Sequence, residues 1–150
     1  MTELETIRNF LAAKKIAVAG ASRDPKKFGH NILKELSNKG YEVYPVNPEA
    51  DEIAGFKCYR KLSDLPVDVA HLHVVTNKSR SAEIVRQASD RGIKNIWLQL
   101  SSDSPEALEM IKTNKLDAVS KRCILMYAEP VKGFHNFHRF LNKFFGTYAK

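Results

Sequence analysis

Cysteine is scarce in this chain of 150 residues, where Cys58 and Cys123 are the only two. Two cysteines so far apart cannot supply a disulfide framework, a zinc ribbon or a Cys-x-x-Cys redox centre, and they fit a cytoplasmic protein with free thiols. Long apolar runs are also lacking, since no stretch approaches the roughly 18 residues that a membrane span needs. Residues 1–5 lack the basic and apolar regions of a signal peptide. The sequence therefore predicts a cytoplasmic protein without a membrane segment.

A strong excess of one charge is absent from most of the chain. The whole sequence carries 24 Lys and Arg against 17 Asp and Glu, a net charge of +7. Residues 1–111 hold 16 basic and 15 acidic side chains, whereas residues 112–150 hold 8 and 2. Nucleic-acid-binding domains are typically basic over a whole face, and the aromatic residues of the basic end do not alternate with arginines as a base-stacking surface would. We therefore expect no nucleic-acid partner.

The sequence does contain an alternation of short apolar runs and helical stretches. With 43% hydrophobic and 27% charged residues, it suits one globular domain, and no linker or repeat divides it. Such alternation is typical of βαβ units and predicts an α/β fold: a doubly wound, Rossmann-like parallel sheet of about five strands, in a single domain with flanking terminal helices. The predicted strands are 15–20, 41–46, 67–75, 93–100 and 116–120, and the predicted helices are 3–13, 28–39, 79–91, 105–113 and 133–145.

The turn after the first predicted strand is rich in groups that bind phosphate. In a doubly wound sheet, ligands lie outside the carboxyl ends of the strands, at the switch point beside that strand. Gly20 permits close approach of the backbone, Gly29 opens a helix whose N-terminal amides favour an anion, and Ser22 adds a hydroxyl donor. The cations of the turn are Arg23, Lys26 and Lys27. A plain solvated turn is the alternative, but the coincidence of these groups favours a phosphate site.

The residues of this turn restrict the phosphate ligand without fixing it. They match neither G-x-G-x-x-G nor the P-loop pattern. NAD would require an Asp or Glu at the end of the second strand to bind the ribose hydroxyls, but Asn47 and Pro48 stand there, with Glu49 beyond the proline. A ribose that carries an extra phosphate suits the cations of the turn better. NADP and coenzyme A both meet this description, and residue chemistry alone leaves both open.

Four segments carry a resemblance to a known family. They are Val18 to Ser22 (VAGAS), Gly40 to Pro48 (GYEVYPVNP), Ile96 to Gln99 (IWLQ) and Arg122 to Ile124 (RCI). In this order, over about residues 14–126, they resemble the stand-alone CoA-binding proteins, whose domain is similar to the CoA-binding Rossmann domain of the succinyl-CoA synthetase α subunit. The resemblance implies binding of coenzyme A or an acyl-CoA. It implies no catalysis, since the synthetase uses a phosphohistidine on a second domain and a partner subunit.

The resemblance also implies where the ligand lies. Its pyrophosphate would meet the turn after the first strand, its adenosine would border Asn47 and Pro48, and the end of the third strand would form the opposite wall. Many family members carry a proline-containing turn after the third strand, where this chain has Thr76 and Asn77. The candidate binding residues, from chemistry and resemblance together, are Gly20, Ala21, Ser22, Arg23, Lys26, Lys27, Phe28, Gly29, Asn47, Pro48, Val74, Val75, Thr76, Asn77 and Cys123.

An enzyme is the competing class of function, namely an NADP-dependent oxidoreductase that uses the same pocket. Such an enzyme needs a proton donor near the nicotinamide, and neither a Tyr-x-x-x-Lys pair nor a catalytic His/Asp pair is visible in the sequence. We therefore predict a binding protein without catalysis of its own.

Three smaller features receive specific interpretations. Cys123 follows two cations at the predicted carboxyl end of the fifth strand, and nearby cations favour a thiolate. This suggests a mixed disulfide with the CoA thiol, with an idle thiol as the alternative. Trp97 and Gln99 either line the floor near the ligand or fill the core. His71 and His73 share one strand face and are interpreted as packing under a helix, with half a metal site as the alternative.

The last predicted helix, 133–145, is aromatic and basic. His135 and His138 share a face with apolar residues that recur at helical spacing. We interpret that face as docking onto the core or as the interface of a homodimer, in preference to metal binding or base catalysis. The apolar residues are Phe134, Phe137, Phe140, Leu141, Phe144 and Phe145.

Overall fold

A computed structural model describes residues 1–128 of the chain. The predicted helix 133–145, and with it the predicted dimer interface, lies outside these residues. Two short 3-10 helices, Leu62–Asp64 and Ile124–Met126, accompany the main elements. The main elements in chain order are α1 (Glu3–Leu11), β1 (Lys15–Ala19), α2 (Phe28–Asn38), β2 (Glu42–Val46), β3 (Glu52–Ile53), β4 (Phe56–Lys57), β5 (His71–Val74), α3 (Lys78–Arg91), β6 (Asn95–Gln99), α4 (Pro105–Thr113) and β7 (Asp117–Arg122).

Five of the strands form one parallel sheet in the order β2-β1-β5-β6-β7. This arrangement confirms the predicted α/β fold and its five-stranded parallel sheet. The chain moves outward in one direction from β1 to β2, and in the other direction from β5 through β6 to β7. The strand order therefore reverses between β1 and β5, and in such sheets the ligand crevice opens at the carboxyl ends of the two strands that flank the reversal.

Each central strand contributes to two apolar layers, one on either side of the sheet. Ile16 and Val18 of β1 belong to the layer that contains α1 and α2, whereas Ala17 and Ala19 belong to the layer that contains α3 and α4. Because both faces are covered, the strand reads in the sequence as a continuous apolar run. Trp97 of β6 is fully buried in the first layer, so it fills the core.

Besides shifts of one or two residues at other strand ends, the strands differ from prediction in three places. The predicted strand 67–75 shortens to β5, because the Val69 N–H donates to the Pro66 carbonyl in a turn and Val67 is 94% exposed. The two-residue strands β3 and β4 pair antiparallel, and they were not predicted because two residues show no periodicity. Strand β7 continues to Arg122, past its predicted end at residue 120.

The two histidines of β5 pack against neighbouring side chains, His71 partly buried and His73 fully buried. The ring of His71 meets Phe10 of α1 edge-on, with 5.4 Å between centroids. His73 is fully buried, and its Nε2 lies 2.9 Å from Oε1 of Gln99. Burial lowers the pKa of His73 to about 4, although the hydrogen bond to Gln99 acts in the opposite direction. Both rings therefore take the packing role that the sequence favoured.

Residues 1–128 contain neither a membrane-spanning helix nor a cluster of metal-ligating side chains. No helix in this part of the chain has both the length and the apolar character needed to cross a membrane. The same residues contain no group of three or more His, Cys, Asp or Glu side chains that could hold a metal ion.

Candidate functional site

A cleft opens at the carboxyl ends of β1, β2 and β5, where the strand order reverses. Its volume is about 1410 Å³, which is large enough for an extended ligand. It brings together three segments that lie far apart in the sequence: the turn after β1, the end of β2 and the start of α3. The predicted binding residues that line it are Gly20, Ala21, Ser22, Lys27, Phe28, Gly29, Asn47, Pro48, Val75, Thr76 and Asn77.

Two glycines bring the start of α2 directly against the end of β1. Gly20 has a φ of +95°, and a Cβ at this position would lie 2.8 Å from the carbonyl group of Val75. A Cβ on Gly29 would lie only 2.3 Å from the carbonyl oxygen of Gly20. In the G-x-G-x-x-G pattern, glycines provide a tight turn and close helix–strand packing. Gly20 and Gly29 provide the same two features at a different spacing.

Internal hydrogen bonds hold the rest of this turn. The Asp24 carboxylate accepts from the N–H of Lys26 at 2.9 Å, and Oγ of Ser22 accepts from the N–H of Asp24 at 3.0 Å. The Asn47 side chain donates to the carbonyl of Ala21 at 2.9 Å, which ties the end of β2 to the turn. The one carboxylate of the turn, that of Asp24, thus accepts a hydrogen bond from the loop backbone. The turn is held in place by these internal hydrogen bonds without a ligand.

Both helices that begin at the cleft start without a side-chain cap. The residues before α2 and α3 are Lys27 and Asn77, and neither side chain caps its helix by a hydrogen bond within the described chain. Neither first turn contains an acidic residue. By contrast, α1 and α4 are capped by Thr2 and Ser104 and have acidic first turns. Uncapped amides and the positive end of the helix dipole attract anions, so the positive ends of two helices face the cleft.

The cleft also contains cations that sequence reasoning missed. Arg60 and Lys61 line it from the segment after β4, and Arg80 lines it from α3. A parallel bridge between Val46 and Tyr59 brings this segment beside the end of β2. The only sign of these cations in the sequence is a pair of adjacent basic residues between two short elements. Such pairs usually lie on the solvent-exposed surface. Arg60 and Lys61 reach the cleft through the bridge between Val46 and Tyr59, which the sequence does not reveal.

Four predicted binding residues lie outside the wall of the cleft: Arg23, Lys26, Val74 and Cys123. Arg23 and Lys26 are exposed on the turn but do not line the cleft. Val74 is fully buried within β5, in the apolar layer that contains α3 and α4. Of the three predicted cations of the turn, Lys27 is therefore the one that borders the cleft.

Cys123 borders a second cavity of about 510 Å³. Gln99 lines it too, with Oε1 held by the N–H of Ile124 at 3.1 Å and by Nε2 of His73 at 2.9 Å. Gln99 therefore connects the core to this cavity. The mixed disulfide predicted at Cys123 stays a prediction. The second cavity adjoins the cleft, because four residues line both: Phe28, Val75, Thr76 and Asn77.

The fold and the cleft together define a Rossmann-like α/β domain with two uncapped helix N-termini at its switch point. Residues 14–129 match the family described as the CoA binding domain, and the chain belongs to that family. This confirms the resemblance seen in the sequence. This match gives no support to the competing function, an NADP-dependent oxidoreductase.

Two curated relatives are much longer than this chain. The alpha subunit of ADP-forming acetate–CoA ligase II from Pyrococcus furiosus is 28% identical, over 94% of this chain and 32% of its own length. The ADP-forming acetate–CoA ligase of Methanocaldococcus jannaschii is 29% identical, over 91% of this chain and 19% of its own length. The chain therefore spans a third or less of these two ligases.

Solved structures of similar size share the fold. A hypothetical protein from Pyrococcus horikoshii is 34% identical, with a TM-score of 0.79, over 89% of this chain and 94% of its own. A conserved hypothetical protein from Pyrococcus furiosus is 39% identical, with a TM-score of 0.72, over 75% of this chain and 97% of its own. The single-domain α/β architecture is thus common to small proteins related to this one.

Proposed function

We propose that this protein binds coenzyme A, or an acyl-CoA, in the cleft at the carboxyl ends of β1, β2 and β5. The observation that carries the proposal is the convergence of two uncapped helix N-termini on the Gly20 turn. A diphosphate placed there would accept hydrogen bonds from amides that lack a side-chain cap, and its charge would be favoured by both helix dipoles. Membership of the CoA binding domain family supports coenzyme A over other diphosphates.

The shape of the cleft supports one orientation of the ligand. Its diphosphate would lie against Gly20, Ser22 and the start of α2, with the adenosine beside Asn47 and Pro48. The pantetheine arm would then pass Phe28 into the second cavity, because that cavity opens from the same part of the cleft. The thiol or acyl end of the ligand would thus lie near Cys123.

The ligase relatives support a role in binding. Their names assign them a reaction that uses coenzyme A, and the part of them that matches this chain is a minor fraction of their length. In this proposal the shared part is the portion that holds coenzyme A. The ligase reaction itself is not part of the function proposed for this chain.

A thermal-shift panel of CoA, acetyl-CoA, NAD, NADP and ATP tests the proposal. We expect CoA or acetyl-CoA to raise the Tm, while NAD and NADP leave it near that of the free protein. Ligand at 100 times its Kd adds about 2.7 kcal/mol of stability, which corresponds to roughly 5–10 °C for a domain of this size. A rise with NADP and none with CoA would restore the oxidoreductase, and no rise with any member would refute the proposal.

A further inference from the structure

Arg60 is held at the end of β2 by two hydrogen bonds. Its Nη1 donates to the carbonyl of Pro48 at 3.0 Å, and its Nε donates to Oδ1 of Asp51 at 2.9 Å. The Tyr59 N–H donates to the carbonyl of Pro45 at 2.8 Å, so the backbone that carries the arginine is fixed to β2 as well. The guanidinium group therefore occupies a defined place at the rim of the cleft, although its side chain is about half exposed.

The end of β2 is the place where a doubly wound domain distinguishes one ribose from another. A carboxylate there binds the free hydroxyls of a ribose, whereas an arginine nearby accommodates a phosphate on it. A guanidinium group has five N–H donors in a planar fork, and two of those of Arg60 have partners in residues 1–128. The others are available to the oxygens of a phosphate, in the bidentate geometry that arginine favours.

The neighbouring charges agree with this assignment. The Asp51 carboxylate is bound to Nε of Arg60, and this arginine lowers the pKa of Asp51, so the acid is engaged on that side of the guanidinium. Lys61 adds a second cation to the same wall of the cleft. The end of β2 is thus suited to an additional phosphate on the ribose, as the absence of a carboxylate at Asn47 and Pro48 suggests independently.

We propose that Arg60 binds the phosphate on the ribose of coenzyme A and makes the site specific for coenzyme A over dephospho-CoA, which lacks that phosphate. This inference rests on the proposed function and adds a specificity-determining residue to it. Arg60 then binds the ribose phosphate, whereas the N-terminal ends of α2 and α3 bind the diphosphate. Loss of Arg60 therefore affects recognition of the ribose phosphate and leaves binding of the diphosphate in place.

Calorimetric titration of the wild-type protein and its variants with CoA and with dephospho-CoA tests this inference. We expect the wild type to bind CoA more tightly, and R60A to lose about tenfold in affinity for CoA with little change for dephospho-CoA. The variant R60K keeps the charge without the planar fork, so it should retain part of the preference. The matched control is R8A, since Arg8 is an exposed arginine on α1 that lines neither cavity.

The possible results separate this inference from the proposed function. A preference for CoA that is equally large in R60A and in the wild type would overturn the role of Arg60, as would equal affinity of the wild type for both ligands. Binding of neither ligand by the wild type would instead overturn the proposed function and the inference with it. Circular dichroism checks whether R60A is folded. If R60A does not fold, the preference of R60K for CoA over dephospho-CoA tests the inference in its place.

Discussion

All four α-helices of residues 1–128 begin at the carboxyl edge of the parallel sheet, yet two begin with a cap and two do not. Helices α2, α3 and α4 follow β1, β5 and β6, and α1 reaches the same edge through the ion pair between Glu3 and Arg122 of β7. In α1 and α4, the side chains of Thr2 and Ser104 each accept from one N-terminal amide, that of Glu5 and that of Ala107. The N-terminal amides of α2 and α3 face the cleft without such a partner in the described residues.

In the proposed function, the capped helix ends serve stability and the uncapped helix ends serve binding. A side-chain cap stabilises a helix by about 0.5–2 kcal/mol, and α2 and α3 lack that contribution in the free protein. A bound diphosphate would supply the missing acceptors and add its own binding free energy to the folded state. The capped helices should therefore matter for stability alone, and the uncapped helices for stability and binding together.

The largest effect is expected from a substitution at Gly29, where α2 packs directly against the end of β1. In G29A, the new methyl group would clash with the carbonyl oxygen of Gly20. We expect α2 to move away, with a loss of about 3 kcal/mol of stability and of most of the stabilisation by CoA. Urea unfolding with and without CoA measures both quantities.

The matched control for this variant is G92A. Gly92 ends α3 with a φ of +91° and has open space around it, so alanine there should cost about 1 kcal/mol of backbone strain. Stabilisation by CoA should be retained in G92A. Equal loss of the CoA effect in both glycine variants would mean that close packing of α2 on β1 is unimportant for binding.

An intermediate effect is expected from giving α2 the cap that it lacks. In K27D, the new carboxylate can accept from the first amides of α2, which should stabilise the free protein by about 1 kcal/mol. The same carboxylate would repel a diphosphate, so the affinity for CoA should fall by tenfold or more. Thermal unfolding and calorimetric titration measure the two opposite changes.

The neighbouring variant K26D changes the net charge by the same amount at a residue that does not line the cleft. It should leave the stability of α2 and the affinity for CoA close to those of the wild type. If K26D weakens binding as much as K27D does, general charge and not the helix end governs the affinity.

The smallest effect is expected from removing a cap that the molecule already has. Oγ of the buried Ser104 accepts from the N–H of Ala107 at 3.1 Å, so S104A should lower the stability by about 1 kcal/mol. The CoA affinity of this variant should match that of the wild type. A marked change in affinity would show that α4 takes part in the site.

The fold could be predicted because its main elements repeat a pattern. Strands buried on both faces read as short apolar runs, and the helices between them show spaced apolar residues with clear ends, as at Gly92. The β3–β4 hairpin could not be predicted, since each of its strands has two residues. Residues 67–70 were assigned to a strand because Val67 and Val69 are apolar, although the chain turns there.

The sequence brings the residues of the candidate site together where the order of elements determines their position. The turn after β1, the end of β2 and the end of β5 meet in any doubly wound sheet, so most of the predicted residues line one cleft. Single side chains were harder to place, because exposed positions on one turn can point in different directions. Lys27 borders the cleft, whereas Lys26 does not. Arg60 was missed because a long-range contact brings it to β2.

Backbone amide resonances, followed by NMR during a titration with CoA, test most directly whether the uncapped helix ends bind the ligand. The resonances of Phe28, Gly29 and Lys78, in the first turns of α2 and α3, are predicted to shift and saturate together. Those of Glu106 and Ala107, in the capped first turn of α4, are predicted to stay where they are. Shifts at α4 as large as those at α2 and α3, or unmoved resonances at α2 and α3 when CoA binds, would contradict the account.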